Sequence, residues 1–287
     1  MILNFTKMHG AGNDFIVVNA MTQDVSKLTS DDWRDLASRH FGIGADQILL
    51  VESPTIDGVD FKYTIFNQDG SLVENCGNGA RCFVKYVYDN GLTNKNEVKV
   101  EIATGTMTLK LNNDGTVTVS MGAPKVEPSD LPAIVDGLTT KTQGQDTLYG
   151  VDVNGATRWL SLVSMGNPHA VQIVDDVEKA PVLLEGELLE RHTMFPRKAN
   201  IGFMQIHTPQ HVSIRVFERG AGETLACGTG ACAAVVAGIR RGVLSSPVRV
   251  VAHGGELNIA WGGGTSEVLM TGPAVTVFEG TIKLDGI

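Results

Sequence analysis

No apolar run in this chain approaches the roughly 18 residues that a membrane helix needs, so no membrane span is expected. There is also no basic stripe, and the 287 residues carry a net charge of −9, which argues against nucleic acid as a partner. A zwitterionic or anionic small substrate stays open, because the local field of a pocket can oppose the net charge. The opening MILNFTKMHGAGNDF lacks both the basic n-region and the continuous apolar h-region of a secretory leader. A cytoplasmic location is therefore expected, and the glycosylation pattern at Asn4-Phe5-Thr6 is discounted. Cysteines number only four, spaced C-x5-C and C-x4-C rather than the C-x2-C of common zinc sites. No metal-ligand cluster of sensible spacing and no Walker or Rossmann fingerprint is present, so neither metal nor nucleotide cofactor is expected. Cys82 and Cys232 fall inside apolar helical patterns and read as small buried hydrophobes.

What the chain does have is a repeat. Hydrophobic residues at 43% and charged residues at 19% fit a soluble globular protein long enough for one large domain or two ordinary ones. NCGNGARC, from Asn75, and ACGTGACA, from Ala226, each place a cysteine before Gly-x-Gly-Ala and a helical pattern. The likeness extends outward: FKYTIFNQDGSLVENCGNGA, from Phe61, aligns without a gap on VSIRVFERGAGETLACGTGA, from Val212, at an offset of 151. Upstream, GNDFIVV from Gly12 resembles GNPHAVQ from Gly166; downstream, VKVEIATG from Val98 sits on VRVVAHGG from Val248. A period this long means two related domains, not a solenoid.

The fold class expected is α+β: two pseudo-symmetric domains from an internal duplication, with the active site in the cleft between them. Each would be a strongly curved, mostly antiparallel sheet or barrel around a central helix. Strands are expected at 15–19, 47–52, 61–67, 98–103, 107–111 and 117–121, with a hairpin turn at Asn113-Asp114-Gly115. In the second half they are expected at 171–174, 202–207, 213–218, 249–252 and 257–261. Ala80, Phe83, Val84 and Val87 form one helical face, stopped by Gly91. Ala231, Ala234, Val235 and Gly238 are its equivalents on a helix so apolar that deep burial is expected. The domain boundary is placed near Ala123–Pro132, giving 1–124 plus about 274–287 for the domain of Cys76, and 125–273 for that of Cys227.

Cys76 and Cys227 each precede a glycine-rich helix start. There the free backbone N–H groups and the helix dipole favour negative charge, lowering a thiol's pKa and offering a place for a carboxylate. Two such thiols suit the inversion of a stereocentre beside a carboxylate, which needs a base on one face and an acid on the other. A dithiol oxidoreductase would favour C-x-x-C, which is absent. A thiol hydrolase would need one cysteine and a histidine. A non-catalytic amino-acid binding protein remains an alternative, since the glycine-rich turns alone would hold a carboxylate.

KMHGAGNDFIVVN, CGNGARC, SMGNPHAV, ERGAGET, ACGTGACAA and the terminal MTGPAVTVFEG, in this order over nearly the whole chain, resemble the diaminopimelate epimerase family. The cysteine pair alone is shared with proline racemase and hydroxyproline epimerase relatives, whose first motif usually has His where Asn78 stands. The resemblance implies a cofactor-independent exchange of LL- and meso-diaminopimelate, in lysine and peptidoglycan-precursor synthesis, with Cys76 and Cys227 as the acid–base pair. It implies that the backbone N–H groups of Gly77, Asn78, Gly228 and Thr229 hold the reacting carboxylate. Asn13, Gln47, Asn67, Asn167 and Asn200 would line the pocket, Arg219 would meet the distal carboxylate, and Glu218 and His169 would assist catalysis. On residue type alone, Asn13, Asn67 and Asn167 read equally as turn residues, His169 as a core histidine, and Glu218 with Arg219 as a solvated pair. The resemblance also implies a homodimer, with Phe278 standing where some members have a contact tyrosine.

Overall fold

Thr29 begins the first helix, α1 (Ser30–Ala37), through a capping box. Its hydroxyl accepts from the Asp32 N–H, and the Asp32 carboxylate accepts from the Thr29 N–H at 2.7 Å, so two end donors are satisfied reciprocally. The helix buries Trp33, Leu36 and Ala37, and Trp33 stacks on Phe66 with ring centroids 5.3 Å apart. The structure, a computed structural model, describes residues 1–73, 77–103 and 105–284; Cys76 and Asn75 lie outside the described residues.

The second helix, α2 (Gly77–Asp89), carries the expected face: Ala80, Phe83, Val84 and Val87 are fully buried. Burying a side chain of the size of Phe83 or Val84 contributes about 1.5–3 kcal/mol. Gly91 stops the helix as expected, in the left-handed region at φ 66°. The Leu92 N–H reaches Val87 O and the Gly91 N–H reaches Tyr88 O, closing the last turn.

The chain divides into two compact units, Met1–Ser120 with Thr271–Ile287, and Met121–Met270. In the first unit, strand Val275–Lys283 pairs antiparallel with Ile2–Gly10, which pairs antiparallel with Asn13–Asn19. Asn13–Asn19 runs parallel to Gln47–Glu52, and Gln47–Glu52 antiparallel to Phe61–Asn67. Phe61–Asn67 then runs parallel to Glu97–Ile102, followed by antiparallel Gly105–Leu111 and Val117–Ser120. Helix α2 packs against Ile2–Gly10 near one end of this series and Val117–Ser120 at the other, so the sheet wraps the helix.

The second unit repeats the pattern. Ala156–Ser164 pairs antiparallel with Pro168–Ile173, which runs parallel to Asn200–Thr208. Asn200–Thr208 pairs antiparallel with His211–Glu218, which runs parallel to Val248–Ala252, itself antiparallel to Gly255–Ala260. Helix α3 (Val182–Glu190) lies on the outside of Asn200–Thr208 and His211–Glu218, and α4 (Gly228–Arg240) packs against five of these strands. Strand senses therefore match one for one between the units, and α4 begins 151 residues after α2, as the sequence repeat requires. The fold is α+β, and residues 230–238 of α4 are all buried.

The second glycine of each motif permits this packing. A Cβ at Gly79 would stand 2.3 Å from Tyr63 Oη, and one at Gly230 would stand 2.9 Å from Val216 Cγ2. Each helix approaches its sheet closely because no side chain intervenes. The sequence reading missed strands Ile2–Gly10, Leu72–Val73, Thr139–Gln143, Asp146–Val153, Ala156–Ser164, Gly222–Thr224, Leu269–Gly272 and Val275–Lys283, and helices α1 and α3. Among the described residues, no helix is long and apolar enough to cross a membrane.

Candidate active site

Cys227 is the N-cap of α4, with extended backbone (φ −121°, ψ 108°). The first intrahelical bond of this turn runs from the Ala231 N–H to Cys227 O at 2.9 Å. The N–H groups of Gly228 and Thr229 thus fall in the unpaired first turn, where an anion is favoured, while the Gly230 N–H turns to the Cys227 sulfur. Cys227 Sγ donates to Glu218 Oε2 at 3.1 Å and lies 3.5 Å from Thr229 Oγ1. Strand His211–Glu218 brings Glu218 there, and Thr224, on the short strand Gly222–Thr224 paired with it, hydrogen-bonds the other carboxylate oxygen.

The expected depression of this thiol's pKa is not what the structure gives. Burial, then the negative charge of Glu218, push Cys227 well above its usual value; the Thr229 hydroxyl and the Gly230 N–H pull it only partly back. A helix start favours the thiolate in general, but here desolvation and a facing carboxylate outweigh it. Cys227 is therefore held as the thiol. Cys82 and Cys232 are fully buried, as expected of structural cysteines.

A chain of hydrogen bonds continues from Thr229. Asn167 Nδ2 donates to Thr229 Oγ1 at 3.3 Å, and His169 Nε2 lies 3.0 Å from Asn167 Oδ1. His169 is almost fully buried, and its pKa falls to about 3, through burial first and the Arg219 charge second. A neutral ring facing an amide oxygen must carry its proton on Nε2. Asn200, also buried, is tied at both ends: Nδ2 donates to Pro168 O at 3.0 Å, and Oδ1 accepts the Arg219 N–H at 2.9 Å. The Arg219 side chain is exposed. Glu190, which no sequence signal marked, accepts the Gly220 N–H at 2.7 Å and so fixes the turn after Glu218 and Arg219.

In the first unit the equivalent positions also meet. Asn78, in the first turn of α2 after Gly77, donates Nδ2 to Asn13 Oδ1 at 3.3 Å; between the equivalent positions of the second unit the bond runs the other way, from Asn167 to Thr229. Gln47 and Asn67 face each other across neighbouring strands, Gln47 Nε2 donating to Asn67 Oδ1 at 3.1 Å. Asn78 Oδ1 and Gln47 Oε1 are buried with no hydrogen-bond partner among the described residues. Leaving such an atom unpaired costs about 1–3 kcal/mol, an expense usually met by a ligand or an ordered water. A separate cavity of about 550 Å³ in the second unit, lined by Lys141, Trp159, Gln172 and Arg241 among others, includes none of the candidate residues.

The sequence profile described as diaminopimelate epimerase matches residues 5–127 and 161–277. The diaminopimelate epimerase of Cupriavidus pinatubonensis is 63% identical over 284 residues, covering 99% of this chain and 98% of that protein. Among solved structures, a phenazine biosynthesis protein of the PhzF family from Bacillus anthracis superposes with a TM-score of 0.70 at 15% identity, covering 99% of this chain and 100% of the other. A probable proline racemase from Agrobacterium radiobacter superposes with a TM-score of 0.68 at 17% identity, covering 99% of this chain and 93% of the other. At such identities the two structures speak for the fold alone.

Proposed function

The chain belongs to the diaminopimelate epimerase family, and from that premise we propose that it interconverts LL- and meso-2,6-diaminopimelate by α-proton exchange between Cys76 and Cys227. This is an isomerase reaction of lysine and peptidoglycan-precursor synthesis. The observation that carries it is the Cys227 thiol at the start of α4, 3.1 Å from Glu218 and beside unpaired backbone N–H groups.

The proton inventory closes. The base, a thiolate, takes the α-proton; the C–H electron pair passes into the carbanion, delocalised onto the carboxylate. The second thiol, on the opposite face, gives its proton to the same carbon. The product has the inverted centre, and thiol and thiolate have exchanged places. Because Cys227 is held as a thiol by burial and Glu218, it is the resting acid, and Cys76 is assigned the resting base. The N–H groups of Gly228 and Thr229, with those of Gly77 and Asn78, receive the carboxylate as its charge grows. Asn13, Gln47, Asn67, Asn167, Asn200 and Arg219 are assigned to hold the remaining polar groups of the substrate. His169, neutral by its burial, orients Asn167.

The reaction needs reduced thiols, in keeping with a cytoplasmic setting, and Cys227 is free. A homodimer is part of the proposal. Val275, Val277 and Phe278 on strand Val275–Lys283 are exposed, an apolar strand surface of the kind that a second copy covers.

Proton NMR of LL-diaminopimelate with the reduced protein in D2O tests this, with L-proline in a parallel tube. Loss of the α-proton signal with appearance of the meso isomer, abolished by Cys76→Ala and by Cys227→Ala, is the expected result. Exchange with proline alone would replace the substrate with that of a proline racemase. No exchange with either would leave the binding-protein alternative.

A further inference from the structure

The side-chain amides of the first unit have orientations that are dictated from outside the site. The oxygen and nitrogen of an amide are nearly alike in shape, so only the network decides which way each points. Asp46, at the entrance to strand Gln47–Glu52, receives Arg39 Nη2 on Oδ1 at 2.7 Å and Asn13 Nδ2 on Oδ2 at 2.9 Å. It also receives the Asp14 N–H at 3.2 Å. A carboxylate only accepts. Asn13 must therefore turn its NH2 group to Asp46 and its oxygen to Asn78, which must donate in turn. What remains of Asn78 is an oxygen, buried and unpaired.

A second chain has the same logic. The Ser71 hydroxyl donates to Asp69 Oδ1 at 2.6 Å. With its one proton committed, Ser71 Oγ accepts from Asn67 Nδ2 at 3.2 Å. Asn67 thus offers its oxygen to Gln47 Nε2, and Gln47 is left with Oε1 buried and unpaired. Asn13 and Gln47 stand at the starts of neighbouring parallel strands, and Gln47 is opposite Asn67 on the next. Two carboxylates thus each end, through two amides, in an unpaired acceptor.

We propose that Asp46 and Asp69 are positioning residues, which set the polarity of these two relays so that Asn78 Oδ1 and Gln47 Oε1 receive a hydrogen-bond-donating group of the ligand, an ammonium. The proposal rests on the epimerase function for the identity of the ligand, and on the relays alone for the roles of the two carboxylates. Neither carboxylate touches substrate; each acts through the amides it orients.

The two positions respond differently to the isosteric amide. In Asp46→Asn the new side chain turns its oxygen to the Arg39 cation and its NH2 to Asn13, which reverses the first relay and leaves the Asp14 N–H without its acceptor. In Asp69→Asn the oxygen still accepts from Ser71, and the second relay keeps its direction; Asp69→Ala removes it. The experiment measures KM for LL-diaminopimelate, and Ki for pimelate, which has both carboxylates and no ammonium, in the full-length wild type and the three variants. Asp46→Asn and Asp69→Ala should raise KM about tenfold, with kcat changed less, and leave pimelate inhibition within about twofold. Asp69→Asn should stay near wild type. Equal weakening of diaminopimelate and pimelate, or an Asp46→Asn variant indistinguishable from wild type, overturns the proposal. The side-chain amide NMR signals of Asn78 and Gln47 give a readout free of turnover. They should shift in Asp46→Asn and Asp69→Ala respectively, and signals unmoved in folded protein overturn the relays. If the wild type does not isomerise diaminopimelate, the epimerase function falls, and the amide signals alone still decide whether the relays hold.

Discussion

Glu218 and Cys227 stand carboxylate to thiol, with Oε2 accepting from Sγ at 3.1 Å. Burial and the charge of Glu218 both raise the thiol's pKa. Removing that charge while keeping the shape lowers it. Glu218→Gln should therefore make Cys227 more reactive toward iodoacetamide near pH 8, read by mass spectrometry of the peptide that contains it. The same substitution should slow isomerisation, since the thiol loses the acceptor that holds its proton in line. Alkylation unchanged or slower than in wild type would mean that Glu218 does not govern the thiol.

On the proposed mechanism, Cys227→Ala removes one of the two proton carriers. General acid–base groups contribute about 10²–10⁴-fold, so α-proton exchange should fall by about a thousandfold. Circular dichroism should be unchanged, because the first helical bond of α4 is made by the Cys227 carbonyl, which alanine keeps. A variant with tenfold or smaller loss would remove Cys227 from the proton path.

Much of this arrangement was legible because it is local or repeated. The helix after each cysteine, the stop at Gly91 and the strands around Phe61 and Val212 follow from periodicity and glycine. Helix α3 was not legible: Leu183, Leu184 and Leu188 face solvent, so no single apolar stripe marks it. Helix α1 did carry a signal, the Thr29-x-x-Asp32 capping box, which went unread. The site divides in the same way. Cys227 and the first turn of α4 follow from a short motif, whereas Glu190 reaches Gly220 from 30 residues away, and only the folded chain shows it. The raised pKa of Cys227 was hidden for the same reason. The sequence shows the helix start, but not the burial or the carboxylate on the neighbouring strand that overrides it.

Gly79 tests the close approach of α2 to its sheet. An alanine Cβ there would meet Tyr63 Oη at 2.3 Å, with Leu49 and Phe15 beyond 3 Å. Gly79→Ala should destabilise the protein by about 1–3 kcal/mol, the usual cost of overpacking, measured by urea denaturation. Tyr63→Phe in the same chain removes the nearest atom and should recover part of the loss. No recovery would place the strain elsewhere in the turn.

His169 gives the protein a pH dependence of definite sign. Its folded pKa of about 3 lies below the ordinary 6.5, through burial first and Arg219 second. As pH falls below about 6.5 the unfolded chain takes up a proton that the native ring refuses. The stabilisation is complete above that value and is lost progressively down to about pH 3, at up to about 1.4 kcal/mol per pH unit. Carboxylates whose native pKa is depressed, Asp14 among them, also lose stabilisation as the pH falls, so the useful quantity is a difference. His169→Gln keeps an NH2 group able to reach Asn167 Oδ1 and has nothing to protonate. Between pH 6 and 4 the urea midpoint of the wild type should fall more steeply than that of His169→Gln. Parallel curves would mean that the native imidazole protonates like an exposed one, and the neutral ring assigned to Asn167 would have to be withdrawn.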